Sequence, residues 1–242
     1  MAEAPLLSIE SLEVGYGRGA PVIRDLSLTL APGEQVVVLG ANGAGKSTLL
    51  LAIAGVLKVR SGTIRVRGVD VTTASVHERV GLGLSLALEG HRVVGELSVA
   101  DNLRLAVASG TSLRARRDAR ARVEASLERF EVLSRDRNRL AGTLSGGEQQ
   151  MLVMARLLAI GATVLLVDEP SLGLSPLMTR RVYEMLGQAN AAGSGTLVVE
   201  QSATDVLKGA DRAYVLRSSG LEPFDAGASR ADLARAYLGV SG

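Results

Sequence analysis

The chain of 242 residues has no cysteine and no tryptophan, and only two phenylalanines, four tyrosines and two histidines. Without cysteine, disulfides and thiolate metal sites are excluded. His77 and His91 lie too far apart to share one helical face as metal ligands. This composition is compatible with a reducing cytoplasm. A strong charge of one sign is also missing. Lys and Arg number 27 against 25 Asp and Glu, a formal excess of +2 that is too small to mark a nucleic-acid surface despite a pI near 9.2. No apolar run reaches the ~18 residues of a membrane span. The stretch over residues 157–167, for instance, is bounded by Arg156 and Asp168. The opening Met1-Ala2-Glu3-Ala4-Pro5 has neither a basic n-region nor an apolar core, so export is not expected and any membrane role should run through a partner.

With 47% of its residues hydrophobic, the chain has ample material for one large α/β body. Leu26, Leu28 and Leu30 alternate as in a half-buried strand, and the turn residues Ala31-Pro32-Gly33-Glu34 follow. Val36-Val37-Val38-Leu39 is wholly apolar, the signature of a strand covered on both faces, and leads through a glycine-rich loop into a helix over 48–54. Further apolar strands are expected at 164–167 and 196–199, while the segment 212–216 carries no obvious chemistry. Strands alternating with helices imply a parallel sheet. Residues 112–139 are rich in Arg and Glu, yet Ala119, Val123, Leu127 and Phe130 recur at helical spacing, predicting one amphipathic helix with a solvated face. Glu124, Glu128 and Glu131 interrupt its basic side, so no RNA or DNA role is assigned to it. A second helix-like segment is expected over 229–238.

Three segments carry chemistry. Gly40-Ala41-Asn42-Gly43-Ala44-Gly45-Lys46-Ser47, followed by Thr48, fits G-x-x-x-x-G-K-[ST] between a buried strand and a helix. Glycines there let backbone N–H groups face phosphate oxygens and the helix start adds partial positive charge. Lys46 reaches the terminal phosphates, and the Ser47 hydroxyl is placed for Mg²⁺. Asp168 and Glu169 close the strand at 164–167, where open α/β sheets gather their ligands. Asp168 suits a divalent metal and Glu169 an attacking water. Leu144-Ser145-Gly146-Gly147-Glu148-Gln149-Gln150 precedes an apolar helix, so Ser145 and the two glycines form a second anion-receptive helix start.

Together these segments resemble the ABC ATPases over nearly the whole chain, the LSGGE stretch setting them apart from other phosphate-loop ATPases. The resemblance implies a P-loop NTPase of one domain, residues 1–242. A RecA-like parallel sheet core would carry an N-terminal antiparallel β subdomain and an α-helical subdomain inserted over about 85–155. It implies that Tyr16 stacks on adenine and that Ser145, Gly146, Gly147 and Glu148 contact ATP held by a second such subunit. Ser171-Leu172-Gly173-Leu174-Ser175 would cross between the two subunits. Glu89 stands at the metal-facing position where many members have glutamine, and Gln201 where most have a histidine facing the γ-phosphate. Within the family, Glu89-Gly90-His91-Arg92, the Ser98 to Leu103 segment, Val199-Glu200-Gln201 and the tail Ala236-Tyr237-Leu238-Gly239 resemble ATPase subunits of branched-chain amino acid importers. Leu88 and Val94 replace that subgroup's usual proline and phenylalanine.

The expected activity is therefore hydrolysis of ATP with Mg²⁺, with Glu169 and Gln201 as the catalytic pair. The expected setting is peripheral, on the cytoplasmic face of a membrane. Partners would be transmembrane permease subunits contacted near Glu89 to Val94, a second ATPase subunit, and indirectly a substrate-binding protein, with no nucleic acid. Urea, amides or aromatic compounds are alternative cargoes. A soluble ABC ATPase would need fused cassettes or a long coiled-coil insertion, and a phosphate-loop kinase or GTPase would leave LSGGE without a task.

Overall fold

The computed structural model describes residues 4–90, 93–109, 119–201, 206–217 and 220–225. His91, Arg92, residues 112–118 of the expected amphipathic helix, and the tail with Ala236-Tyr237-Leu238-Gly239 lie outside the described residues. Two sheets organise the fold. The first orders β2 (Ile23–Leu30), β1 (Leu7–Val14), β4 (Val59–Val66) and β5 (Val69–Asp70), all antiparallel. The second runs β10 (Gly220–Phe224), β9 (Arg212–Arg217), β3 (Gln35–Leu39), β8 (Gly195–Glu200), β7 (Val164–Asp168), β6 (Leu84–Ala87). Its pairings are parallel except β9 with β10.

The apolar central strands follow from burial on both faces. Val37, Leu39, Leu165, Val167 and Val198 point into a core shared with the helices from residue 99 onward. Their neighbours Val36, Val38, Val164, Leu166, Leu197 and Val199 point the other way, onto helix α1 (Lys46–Ile53) and the antiparallel sheet. The period of two splits each strand between two cores.

The helices α2 (Val76–Gly81), α3 (Val99–Ser109), α4 (Ala119–Arg129), α5 (Glu131–Arg135), α6 (Gly146–Ala159) and α7 (Pro176–Ala191), with short 3-10 turns at Ala141–Thr143 and Val206–Gly209, complete the described elements. The single helix expected across Phe130 is in fact two, α4 and α5. Phe130 sits at φ −123°, ψ 83°, outside the helical range, and its ring is buried at 1% exposure. Breaking the helix there lets the ring enter the same core as Val123 and Leu127.

Two buried polar side chains fasten the pieces around the phosphate loop. Arg79 of α2, 2% exposed, donates to the carbonyls of Ala52 and Ile53 at 2.8 Å each, Thr72 at 3.0 Å and Ala74 at 3.2 Å. It thereby satisfies carbonyls at the C-terminal end of α1, where a cation also complements the helix dipole. Asn102 of α3, fully buried, accepts from the Val94 amide and donates to the carbonyls of Val94, Leu97 and Ser98. The loop it clamps is bonded in turn to the segment before α6, through Ala141 N to Leu97 O at 2.9 Å and Gly142 N to Gly95 O at 3.0 Å. A Cβ on Gly142 would stand 3.2 Å from Gly95 Cα, so the two backbones meet closely and a side chain there would push them apart by a few tenths of an ångström.

Arg79→Leu is expected to lower the unfolding free energy by about 2–4 kcal/mol, because it strips several buried carbonyls of their donor. Equilibrium denaturation of the two proteins checks this, and equal midpoints would refute it.

Candidate functional site

The loop from β3 to α1 leaves the sheet beside β8, with the Gly40 amide donating to the Glu200 carbonyl at 3.1 Å. Gly43 and Gly45 have φ of 82° and 102°, in the left-handed region that glycine tolerates. Gly45 is further required by space, since a Cβ would lie 2.9 Å from Val22 Cγ1. The loop ends directly in α1, whose first residue is Lys46. Its N-terminal amides have no side-chain cap and remain available to an anion.

Lys46 is buried at 5% exposure. Its Nζ donates to the carbonyls of Gly40 at 2.8 Å and Ala41 at 3.3 Å and pairs with Glu169 Oε1 at 3.1 Å. A buried ammonium requires such compensation. Glu169, also buried, follows β7 at φ +44°, a left-handed conformation that costs a non-glycine residue of order 1–3 kcal/mol.

Asp168 closes β7 at 3% exposure, and its Oδ1 is buried without a hydrogen-bond partner. Burial pushes its carboxyl above the ordinary value. Glu169 and Glu89 act in the same direction, while the Ser47 hydroxyl bond and Lys46 oppose it. An orphaned buried carboxylate oxygen beside a serine hydroxyl and a further carboxylate is a donor set that fits a hard divalent cation completed by phosphate oxygens and water.

Tyr16, Asn42, Gly43, Gly45, Lys46, Ser47, Thr48, Glu89, Glu169 and Gln201 line one cleft of about 480 Å³, within the range of small-molecule sites. Tyr16 is 54% exposed, which excludes a core role, and its hydroxyl lies 3.2 Å from Thr48 Oγ1. Gly40, Ala41 and Ala44 form the back of the loop, where Ala44 N donates to Ala41 O at 3.1 Å. Ser145, Gly146, Gly147 and Glu148 do not line this cleft. Ser145 caps α6 in a reciprocal box: Glu148 accepts from the Ser145 amide at 2.8 Å, and the Ser145 hydroxyl accepts from the Glu148 amide at 3.4 Å. The Ser145 amide bond holds the Glu148 carboxyl below its ordinary value. Sequence reasoning missed two lining residues, Val22 and Leu172. Val22 carries no signal in the sequence, and Leu172 stands out only through its loop motif.

A phosphate-binding loop after a central strand of a mostly parallel sheet, with paired carboxylates at the end of the strand one place further along, beyond β8, defines a P-loop NTPase. A family model described as ABC transporter matches residues 23–172. The high-affinity branched-chain amino acid transport ATP-binding protein BraG of Pseudomonas aeruginosa is 37% identical over 97% of this chain and 100% of its own length. The lipopolysaccharide export system ATP-binding protein LptB of Acidithiobacillus ferridurans is 33% identical over 87% of this chain and 86% of its own. A solved structure of an ATP-binding subunit of an ABC transporter superposes with a TM-score of 0.83 at 25% identity, covering 96% of this chain and 99% of that one. The chain belongs to the ABC transporter family, as an ATP-binding and ATP-hydrolysing subunit.

Lys46→Ala is expected to weaken ATP binding about 10- to 100-fold, the scale of one or two charge-assisted hydrogen bonds to phosphate. Fluorescent-nucleotide titration reads this directly, and an unchanged Kd would remove Lys46 from the phosphate site.

Proposed function

We propose that this chain is the motor subunit of an importer for a small solute, with branched-chain or related amino acids as the preferred cargo. The observation that carries the cargo is the end-to-end match to BraG, whose name assigns it to branched-chain amino acid transport. The match to LptB supports a second reading, export of a lipid-linked glycan, at lower identity and coverage.

In this reading Tyr16 stacks on the adenine while the Gly40 to Gly45 loop, Lys46 and Thr48 hold the phosphates. Ser47, Asp168 and Glu89 would hold Mg²⁺, which would supply positive charge against the transferring phosphoryl oxygens. Glu169 orients the attacking water and takes its proton. This needs its carboxylate released from Lys46, and incoming phosphate oxygens supply the competing anion. Gln201 donates a neutral amide hydrogen bond to the terminal phosphate. A second copy or a paralogue supplies Ser145 to Glu148 across the interface, which accounts for a capped helix start that stands away from the cleft of its own chain. Permease subunits contact the chain near Glu89 to Val94 at the membrane surface, and a substrate-binding protein acts through them. Among the described residues no helix is long and apolar enough to cross a membrane. The whole chain works as one ATPase domain, with its helical subdomain built over about residues 85–155.

Glu169→Gln is expected to keep ATP affinity while lowering turnover about 10²- to 10⁴-fold, as for loss of a general base. Phosphate release by the purified variant is the measurement, and wild-type turnover would remove Glu169 from the chemistry. The cargo is tested by uptake of labelled leucine, isoleucine and valine in cells whose own copy carries Glu169→Gln. Uptake should be abolished, whereas normal uptake together with a defect in outer-surface glycolipid would favour the second reading.

A further inference from the structure

Glu200 ends β8, and neither the phosphate loop nor the paired carboxylates account for it. It is 2% exposed, and its Oε1 accepts from the Ser171 amide at 3.0 Å and the Tyr183 hydroxyl at 2.8 Å. Its own carbonyl accepts from the Gly40 amide, and the next residue, Gln201, lines the cleft. One residue therefore joins the start of the phosphate loop, through its backbone carbonyl, to the turn that follows β7 and to α7, through its side chain.

That turn contains Glu169 in its left-handed conformation. A strained residue keeps its geometry only when its surroundings over-determine it. Besides the Lys46 ion pair at the carboxylate itself, four bonds tie the backbone of this turn to its surroundings or close it on itself. Two are backbone bonds: Glu169 N to Val199 O at 2.9 Å and Leu172 N to Glu169 O at 3.2 Å. Two come from side chains: Gln150 Nε2 to Pro170 O at 3.1 Å and Ser171 N to Glu200 Oε1 at 3.0 Å. The backbone bonds would form with many sequences at these positions, so the side-chain restraint on the turn's backbone falls on Gln150 and Glu200. Of these, Glu200 alone belongs to the strand that leads into Gln201.

We propose that Glu200 is a positioning residue for hydrolysis: by holding Ser171 against the end of β8, it fixes the turn that aims the Glu169 carboxylate at the cleft beside Gln201. Burial raises the Glu200 carboxyl above its ordinary value, and the bonds from Ser171 and Tyr183 oppose this. Both donors need only an acceptor oxygen, which a carboxamide also provides.

The inference rests on the reading of Glu169 as the hydrolytic residue. The experiment compares wild type, Glu200→Ala, Glu200→Gln, Glu169→Gln and the double variant Glu169→Gln/Glu200→Ala for kcat at saturating Mg-ATP and for ATP affinity. Glu200→Ala should lower kcat about 10- to 100-fold, the effect of a small misplacement of a reacting group, with the ATP Kd within about twofold of wild type. Glu200→Gln should restore most of the turnover. In the Glu169→Gln background, Glu200→Ala should change the residual rate less than about twofold, because it acts through the residue already removed. Wild-type kcat in Glu200→Ala, a full multiplicative loss in the double variant, or equal defects in the Gln and Ala variants would each overturn the inference. Parallel loss of ATP affinity would reduce Glu200 to a scaffold role and overturn it as well. If Glu169→Gln itself turns over normally, the hydrolytic reading falls, and this inference with it. A defective Glu169→Gln beside a normal Glu200→Ala sinks only the inference.

Discussion

The parallel register of three strands is the constraint on which the site depends. β8 lies between β3 and β7, with Leu39 opposite Glu200 and Asp168 opposite Val199. All three strands therefore end at one level, and whatever follows each of them is delivered to the same edge of the sheet. The phosphate loop follows β3, Glu169 follows β7 and Gln201 follows β8. Slipping any strand by one residue would turn its apolar side chains into the wrong core and move its chemical group off this edge. Packing on both faces and placement of the site are thus one requirement.

The sheet ends gather charge where water is scarce, and the local bonding follows from that. Lys46 faces two carbonyls and a carboxylate, Glu200 receives two donors, and Arg79 spreads its donors over four carbonyls. Asp168 is the exception, with one oxygen left unmet. Neighbouring buried polar groups are matched, so the unmet oxygen is the feature of the site that points outward to a ligand.

Most of this edge was legible in the sequence because its signals are local. The apolar runs of β3, β7 and β8, the glycine spacing before Lys46, and Ser145 three residues before Glu148 are each read within a few residues. The break at Phe130 was not legible, because helical periodicity continues through it. Only the need to bury its ring in a core assembled from distant segments ends the helix there. Val22 gave no signal for the same reason: it reaches the cleft through the packing of β2 against the phosphate loop. The link from Glu200 to Ser171 joins two motifs that the sequence presents separately. No spacing rule relates them, and it takes the order of the sheet to make them neighbours.

The contact between Gly95 and Gly142 bears on how force would travel through the molecule. Two loops joined by backbone bonds with glycine facing glycine have no side-chain layer between them. One loop leads into α3, and the other leads within three residues to Ser145 at the start of α6. A displacement of the first would therefore be passed to the second through backbone alone. A methyl group on either glycine would have to be taken up by movement of the backbone opposite, since no side chain lies between to rearrange.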